Sequence, residues 1–171
     1  MPLIKETSLA SDPWYHASDD TPLLPDVPAT ISLARWRAER ENIIRSGMDI
    51  GLRLASHEAA EDIAPDLTHF GIIILNFPAF TDGRAYSQAR LIRDRFNFTG
   101  EIRATGDVLY DQLKMMQRCG FNAFDIKKKT DVDGFINALK EIDLFYQGAT
   151  GAETSLRQAR KITPTSAVAA E

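Results

Sequence analysis

Two short clusters hold the residues best suited to chemistry. Thr81, Asp82, Gly83 and Arg84 follow closely on the apolar run FGIIILNF, and Arg103, Thr105, Gly106 and Asp107 stand in EIRATGD. An arginine next to small residues at a strand exit suits a small oxyanion, because guanidinium offers several hydrogen-bond donors to a negative group. Two carboxylates such as Asp82 and Asp107 can in principle do acid–base work, but no histidine or nucleophile is visibly oriented by either. The same residues also read as structural. An aspartate just past a cap stabilises the helix dipole by about 0.3–1 kcal/mol, and arginine–carboxylate pairs often serve only to hold a fold. The sequence leaves both readings open and assigns no catalytic residue.

Other chemical signals are sparse. His16, His57 and His69 show no metal-ligand spacing, and Cys119 is the one cysteine. A single thiol makes no internal disulfide and alone ligates no zinc or iron–sulfur centre. With Arg118 beside it Cys119 can be read as a redox thiol; the alternative is a small buried hydrophobe. No P-loop, GxGxxG or GxSxG is present. Lys127, Lys128 and Lys129 form a basic spot that reads as a solvated loop.

These residues need elements to position them. MDIGLRLA alternates Ile50, Leu52 and Leu54 against Gly51 and Arg53, as a strand does. FGIIILNF is a β-branched run expected in a parallel strand covered on both faces, and EIRA and FNAFDI are shorter strands. Between them, HEAAEDIAPDL, GRAYSQARLIRDRF, DVLYDQLKMMQRCG and DVDGFINALKEIDLFY carry helical periodicity. The expected inward faces are Ala60, Ile63 and Leu67; Ala85, Ala89, Ile92 and Phe96; Leu109, Leu113 and Met116; and Val132, Phe135, Ile136, Leu139 and Ile142. Pro65 is expected to end or fray the first. Ser56, Thr81, Thr105 and Thr130 are the expected N-caps, recurring about every 25 residues, the length of one βα unit in a (β/α)8 barrel. Upstream, LARWRAERENIIRSG reads as a further helix, with Ser32 before it and Gly47 as its stop.

The expected fold is therefore α/β: four consecutive βα units with a parallel sheet, half-TIM-barrel-like or open, plus an N-terminal helix. Residues 1–30 read as an extended arm poorly suited to regular structure, with Trp14, Tyr15, Leu23 and Leu24 docking on the core. Residues 31–147 form a single domain, and 148–171 a flexible tail. Four strands would expose two edges, a liability. The N-terminal segment can cover one, two chains can complete a ring as a homodimer, or the sheet can open flat. Ligands of such sheets bind beyond the strand C-termini. Near those ends stand Arg53, Asn76, the Glu101/Arg103 pair and Asp125.

A net charge of −4 and a pI near 5.4 give no reason to expect nucleic acid or an anionic membrane as partner. No apolar run approaches the roughly 18 residues of a spanning helix, and the first residues lack the order of a secretory signal. A cytoplasmic location is expected.

The block from Phe77 to Phe124 contains FTDGRAYSQAR, then GEIRATGDVLYDQ, then RCGF. It resembles the signature block of a bacterial family of unknown function whose members are often labelled as oxidoreductases involved in sulfite reduction. The likeness runs from about Trp14 to Gln147. It implies a place in assimilatory sulfate reduction beside sulfite reductase, and it supplies no catalytic residue. No flavin, nicotinamide, haem or iron–sulfur motif is visible, so no cofactor is expected and redox chemistry would belong to the partner. Two functions follow as expectations. One is an accessory protein acting with sulfite reductase. The other is a small enzyme with an oxyanion cleft at the strand C-terminal ends, built on Asp82, Arg84, Arg103 and Asp107. A persulfide or sulfite carrier at Cys119 is a third idea.

Overall fold

A computed structural model of the chain describes residues 2–127, 132–140 and 149–150. It shows an α/β fold with an eight-stranded, mostly parallel sheet in the order β2-β1-β8-β7-β6-β5-β4-β3. The strands are β1 (Leu3–Lys5), β2 (Ser8–Ala10), β3 (Tyr15–His16), β4 (Ala29–Ser32), β5 (Ile50–Leu54), β6 (Phe70–Phe77), β7 (Glu101–Gly106) and β8 (Ala123–Asp125). From β3 to β8 every pairing is parallel and every step goes to the next neighbour. Right-handed crossovers that all step the same way place their connections on one face, as in half a barrel.

The helical face holds the core. Ile50, Leu52 and Leu54, then Ile73, Leu75 and Phe77, then Ile102, Ala104 and Phe124 point to it. They meet Leu33, Trp36 and Ile43 of α1 (Leu33–Ser46), Ala85 and Ala89 of α2 (Arg84–Arg90), Leu113 and Met116 of α3 (Leu113–Arg118), and Phe135 and Leu139 of α4 (Val132–Lys140). The opposite, concave face carries Arg53, Ile72, Ile74, Asn76, Glu101, Arg103 and Thr105. In β6 the alternation slips once: Ile50 pairs with Phe70 but Gly51 with Ile72. Gly71 is the extra residue, so Phe70 and Ile73 can both face the helices.

Residues 1–30 differ from the expectation. They carry regular structure: a β1–β2 hairpin adds antiparallel to β8, and β3 and β4 extend the other side. Periodicity cannot reveal strands of two to four residues, because the sheet that pairs with them supplies their order. They also answer the edge problem on both sides of the expected four strands. Residues 11–14 then join β2 to β3, the two ends of the sheet. Five Cα steps span at most about 18 Å, whereas the ends of a flat eight-stranded sheet lie about 34 Å apart. The sheet must therefore curl, and this strap must cross its concave side. Trp14 lies over Gly71, Tyr15 and Leu23 pack on the core, and Leu24 is exposed.

The helices depart locally from the periodicity. Ser32 caps α1 by accepting from the Arg35 N–H, and Gly47 ends it at φ +68, as expected. HEAAEDIAPDL instead yields a 3-10 run, Ala60–His69, because Pro65 lacks the N–H and denies the chain a regular α-helix. After α2 comes a single π-turn, Leu91–Arg95, which still buries Ile92. Tyr110–Gln112 form a 3-10 turn before α3, leaving Leu109 outside the core. Thr130 and Ile142 lie outside the described residues.

Candidate functional site

The caps expected at the strand exits are used otherwise. Thr81 is exposed, Gly83 occupies the N-cap position of α2, and Thr105 lies inside β7. Ser56 caps nothing; its hydroxyl accepts from Arg84 Nη2 at 2.9 Å. Asp82 does the work assigned to Thr81, accepting from the Arg84 backbone N–H at 3.2 Å in a local turn. It also takes a fork from the same guanidinium, Nε at 2.9 Å and Nη2 at 2.7 Å. That fork, ahead of the backbone bond, holds the Asp82 carboxyl far below the usual carboxylate range. The cluster Thr81–Arg84 thus ties the loop after β6 to the end of β5.

Gly106 ends β7 at φ +95, a left-handed conformation open to glycine. The reversal sends the Asp107 N–H to Phe77 O at 2.8 Å. The Asp107 carboxylate then accepts from the Phe80 N–H at 3.0 Å and from Lys127 Nζ at 3.3 Å. One side chain so joins the exits of β6, β7 and β8. Lys128 and Lys129 lie outside the described residues.

Arg103 belongs to a different place. It is fully buried in the middle of the concave face. Asp12 accepts from Nη1 at 2.7 Å and Nη2 at 3.0 Å, Glu101 accepts from Nε at 2.9 Å, and Asp125 Oδ1 stands 4.0 Å from Nη1. Lys5 pairs with Glu101 at 3.0 Å, and His16 lies 3.4 Å from Asp12 and 2.7 Å from the Thr30 hydroxyl. Burial alone would lower the Arg103 pKa, but Asp12 and Glu101 outweigh it and the net shift is upward. Burial pushes the Asp125 carboxyl up, opposed by Arg103.

The expected site residues therefore fall into two groups. Thr81, Asp82, Gly83, Arg84, Gly106 and Asp107 stand on the outer rim, where Arg84 is already bound by Asp82. Arg103 lies inside, and it shares no partner with Arg84. Asp12, which binds Arg103 most closely, is not signalled by the sequence, since nothing local links the two.

The sequence model for a bacterial protein of unknown function, DUF934, matches residues 51–157. The chain belongs to this family. No curated protein matches it. The DUF934 match contains both rim clusters, Arg103, Glu101 and Asp125, but it leaves out α1 and the strap with Asp12. Within it, the rim also presents Phe80 at 54 % exposure, Tyr110 at 58 % and Leu109 at 39 %. The Gln112 side chain donates to Phe80 O at 3.3 Å and holds these two loops side by side. No helix among the described residues is long and apolar enough to cross a membrane.

Proposed function

We propose that this DUF934 protein is an accessory protein of assimilatory sulfite reduction that docks on sulfite reductase through its strand-exit rim. The supporting observation is the exposure of Phe80, Leu109 and Tyr110, all within the block that carries the family resemblance. Exposed aromatic side chains on a rim, with Asp82 paired to Arg84 and Asp107 to Lys127, suit a protein partner: interface anchors are enriched in aromatics. Cytoplasmic location belongs to this reading. So does a homodimer, to be tested by light scattering at micromolar concentration.

The experiment is co-purification of the tagged protein with sulfite reductase. Phe80→Ser with Tyr110→Ser should abolish it, each anchor being worth about 2 kcal/mol, while the denaturation midpoint stays in place. Undiminished capture by the double variant rejects the rim.

A second reading, an oxyanion-binding enzyme, is favoured by the guanidinium of Arg84, which remains more than half exposed beside Ser56. Sulfite, sulfate and phosphate titrations followed by thermal shift test it. If Arg84→Ala and Arg103→Ala leave the anion response unchanged, the cleft is not built on these residues.

A further inference from the structure

The arginines drawn into the fold differ in how far the fold uses them. Arg35, Arg93 and Arg103 each make at least three side-chain hydrogen bonds. Their acceptors are Glu39, Ser18 O and Thr21 O for Arg35, three loop carbonyls for Arg93, and Asp12 and Glu101 for Arg103. Arg53 makes one: its Nη2 donates to Ala17 O. No carboxylate among the described residues pairs with it. Yet the residue is half-buried, and burial pulls its pKa down; the charge of Asp19 offsets part of this, and that of Arg35 adds to it.

Arg53 is the last inward-facing residue of β5, so it stands near the mouth of the concave face, where the parallel strands end. It lies in register between Ser32 of β4 and Ile74 of β6. On the β4 side the Ser32 hydroxyl is used, donating to Asp19 at 2.6 Å and accepting from the Arg35 N–H. On the β6 side the next inward residue after Ile74 is Asn76, whose side chain makes no hydrogen bond among the described residues. Strand spacing and rise put its Cα about 8 Å from that of Arg53. A guanidinium has two edges of paired N–H donors, and both edges include Nη2. Whichever Nη2 hydrogen Ala17 O accepts, one edge stays whole. Neither Nε nor Nη1 is walled off from solvent.

We propose that Arg53, with Asn76 on the adjacent strand, binds a small carboxylate at the mouth of the concave face. The open guanidinium edge takes both carboxylate oxygens, the pairing for which two parallel donors are suited. The Asn76 amide meets the next polar group of the ligand. A single negative charge fits better than a double one, because Asp19 acts on Arg53 and repels any anion that approaches it. The inference rests on the anion-binding reading of the strand exits. It moves that site away from Arg84 and Arg103, whose guanidinium groups are already forked onto Asp82 and Asp12.

The test is a titration of the 15N-labelled full chain with sodium acetate at constant ionic strength. It is read at the Arg53 Nε–H and at the Leu54 and Asn76 amides, with sodium chloride and sodium sulfate as parallel arms. Saturable shifts are expected with acetate and none with chloride. Arg53→Met should abolish them. Arg53→Lys keeps the charge but loses the two-donor edge, so binding should weaken about ten-fold; this variant carries the test if Arg53→Met does not fold. The proposal is overturned by no saturable response to acetate, by an equal response to chloride, by tighter binding of sulfate at the same groups, or by undiminished binding in the variants. An anion response that survives Arg53→Met but is lost in Arg84→Ala overturns this site and leaves the anion-binding reading in place. No response to acetate, sulfate or sulfite ends both.

Discussion

Asp12 accepts two hydrogen bonds from Arg103 across 91 residues of sequence, at 2.7 and 3.0 Å. The pair fastens the strap to the centre of the sheet, so the N-terminal segment is part of the fold's interior. Removing one partner leaves a buried guanidinium short of a counter-charge. Asp12→Ala should cost about 3 kcal/mol, read as a lower midpoint in urea. Replacing both partners, Asp12→Leu with Arg103→Met, should recover part of that loss, because no uncompensated charge then remains. A double variant no more stable than Asp12→Ala would show that packing of the strap, not charge, is what the pair supplies.

The acid limb of stability should contain two opposing trends. Asp12 lies below the usual carboxylate range: burial would raise it, but hydrogen bonds from Arg103 and the Trp14 N–H prevail. Asp66 is lowered chiefly by Arg40, with the Trp36 indole N–H helping. Groups lowered in the fold add stability above about pH 4, the unfolded value, and lose it as pH falls through their folded values. Asp125 has the reverse sign. Burial raises it, so its ionised form weakens the fold above the raised value, and stability is regained as pH falls towards the unfolded value. Asp125→Asn should therefore exceed the wild-type midpoint at pH 7 and lose that advantage by about pH 4. An equal difference at both pH values would reject the assignment.

Cys119 is buried, and burial pushes its thiol upward against the opposing Arg90 and Arg118. Reaction with a disulfide reagent at pH 7.5 should be at least about ten-fold slower in the native protein than in urea, since the thiolate is the reacting form. Fast native labelling would revive the carrier reading of this thiol. Cys119→Ser should support growth on sulfate as the parent does.

How far the sequence reached depends on the range of the forces involved. The strands Ile50–Leu54 and Phe70–Phe77, and the α1 helix from Ser32 to Gly47, are legible because alternation, a β-branched run and local caps set them residue by residue. The buried positions Ala85, Ala89, Ile92, Leu113, Met116, Phe135 and Leu139 follow from helical spacing in the same way. Caps at Thr81 and Thr105 failed because a nearby aspartate and the β6–β7 ladder compete for the same backbone. Nor does spacing separate Arg84 from Arg103: EIRA reads as a strand that ends near Arg103, yet β7 runs on to Gly106 and its pleat sends Arg103 inward, while Arg84 opens α2 on the rim. The strap is invisible to local reading, since Asp12 acquires its role only when the curled sheet brings β7 beneath it.

The exit of β7 turns at Gly106, which has φ +95. A side chain there would place its Cβ 2.2 Å from Phe77 O and 2.7 Å from Asn76 Oδ1. The Asn76 amide can swing aside, but Phe77 O cannot yield cheaply: it receives the Asp107 N–H, and Phe77 itself packs against Tyr86 and Phe121. Gly106→Ala thus combines an unfavourable backbone with a collision, for which about 3 kcal/mol is expected. The damage should be local before it is global, because Asp107 links three strand exits. Hydrogen exchange should accelerate at Phe80 and Asp107 ahead of the β5 amides. If the variant is as stable as the parent and the Phe80 amide remains protected, Gly106 is not what sets the turn at the β7 exit.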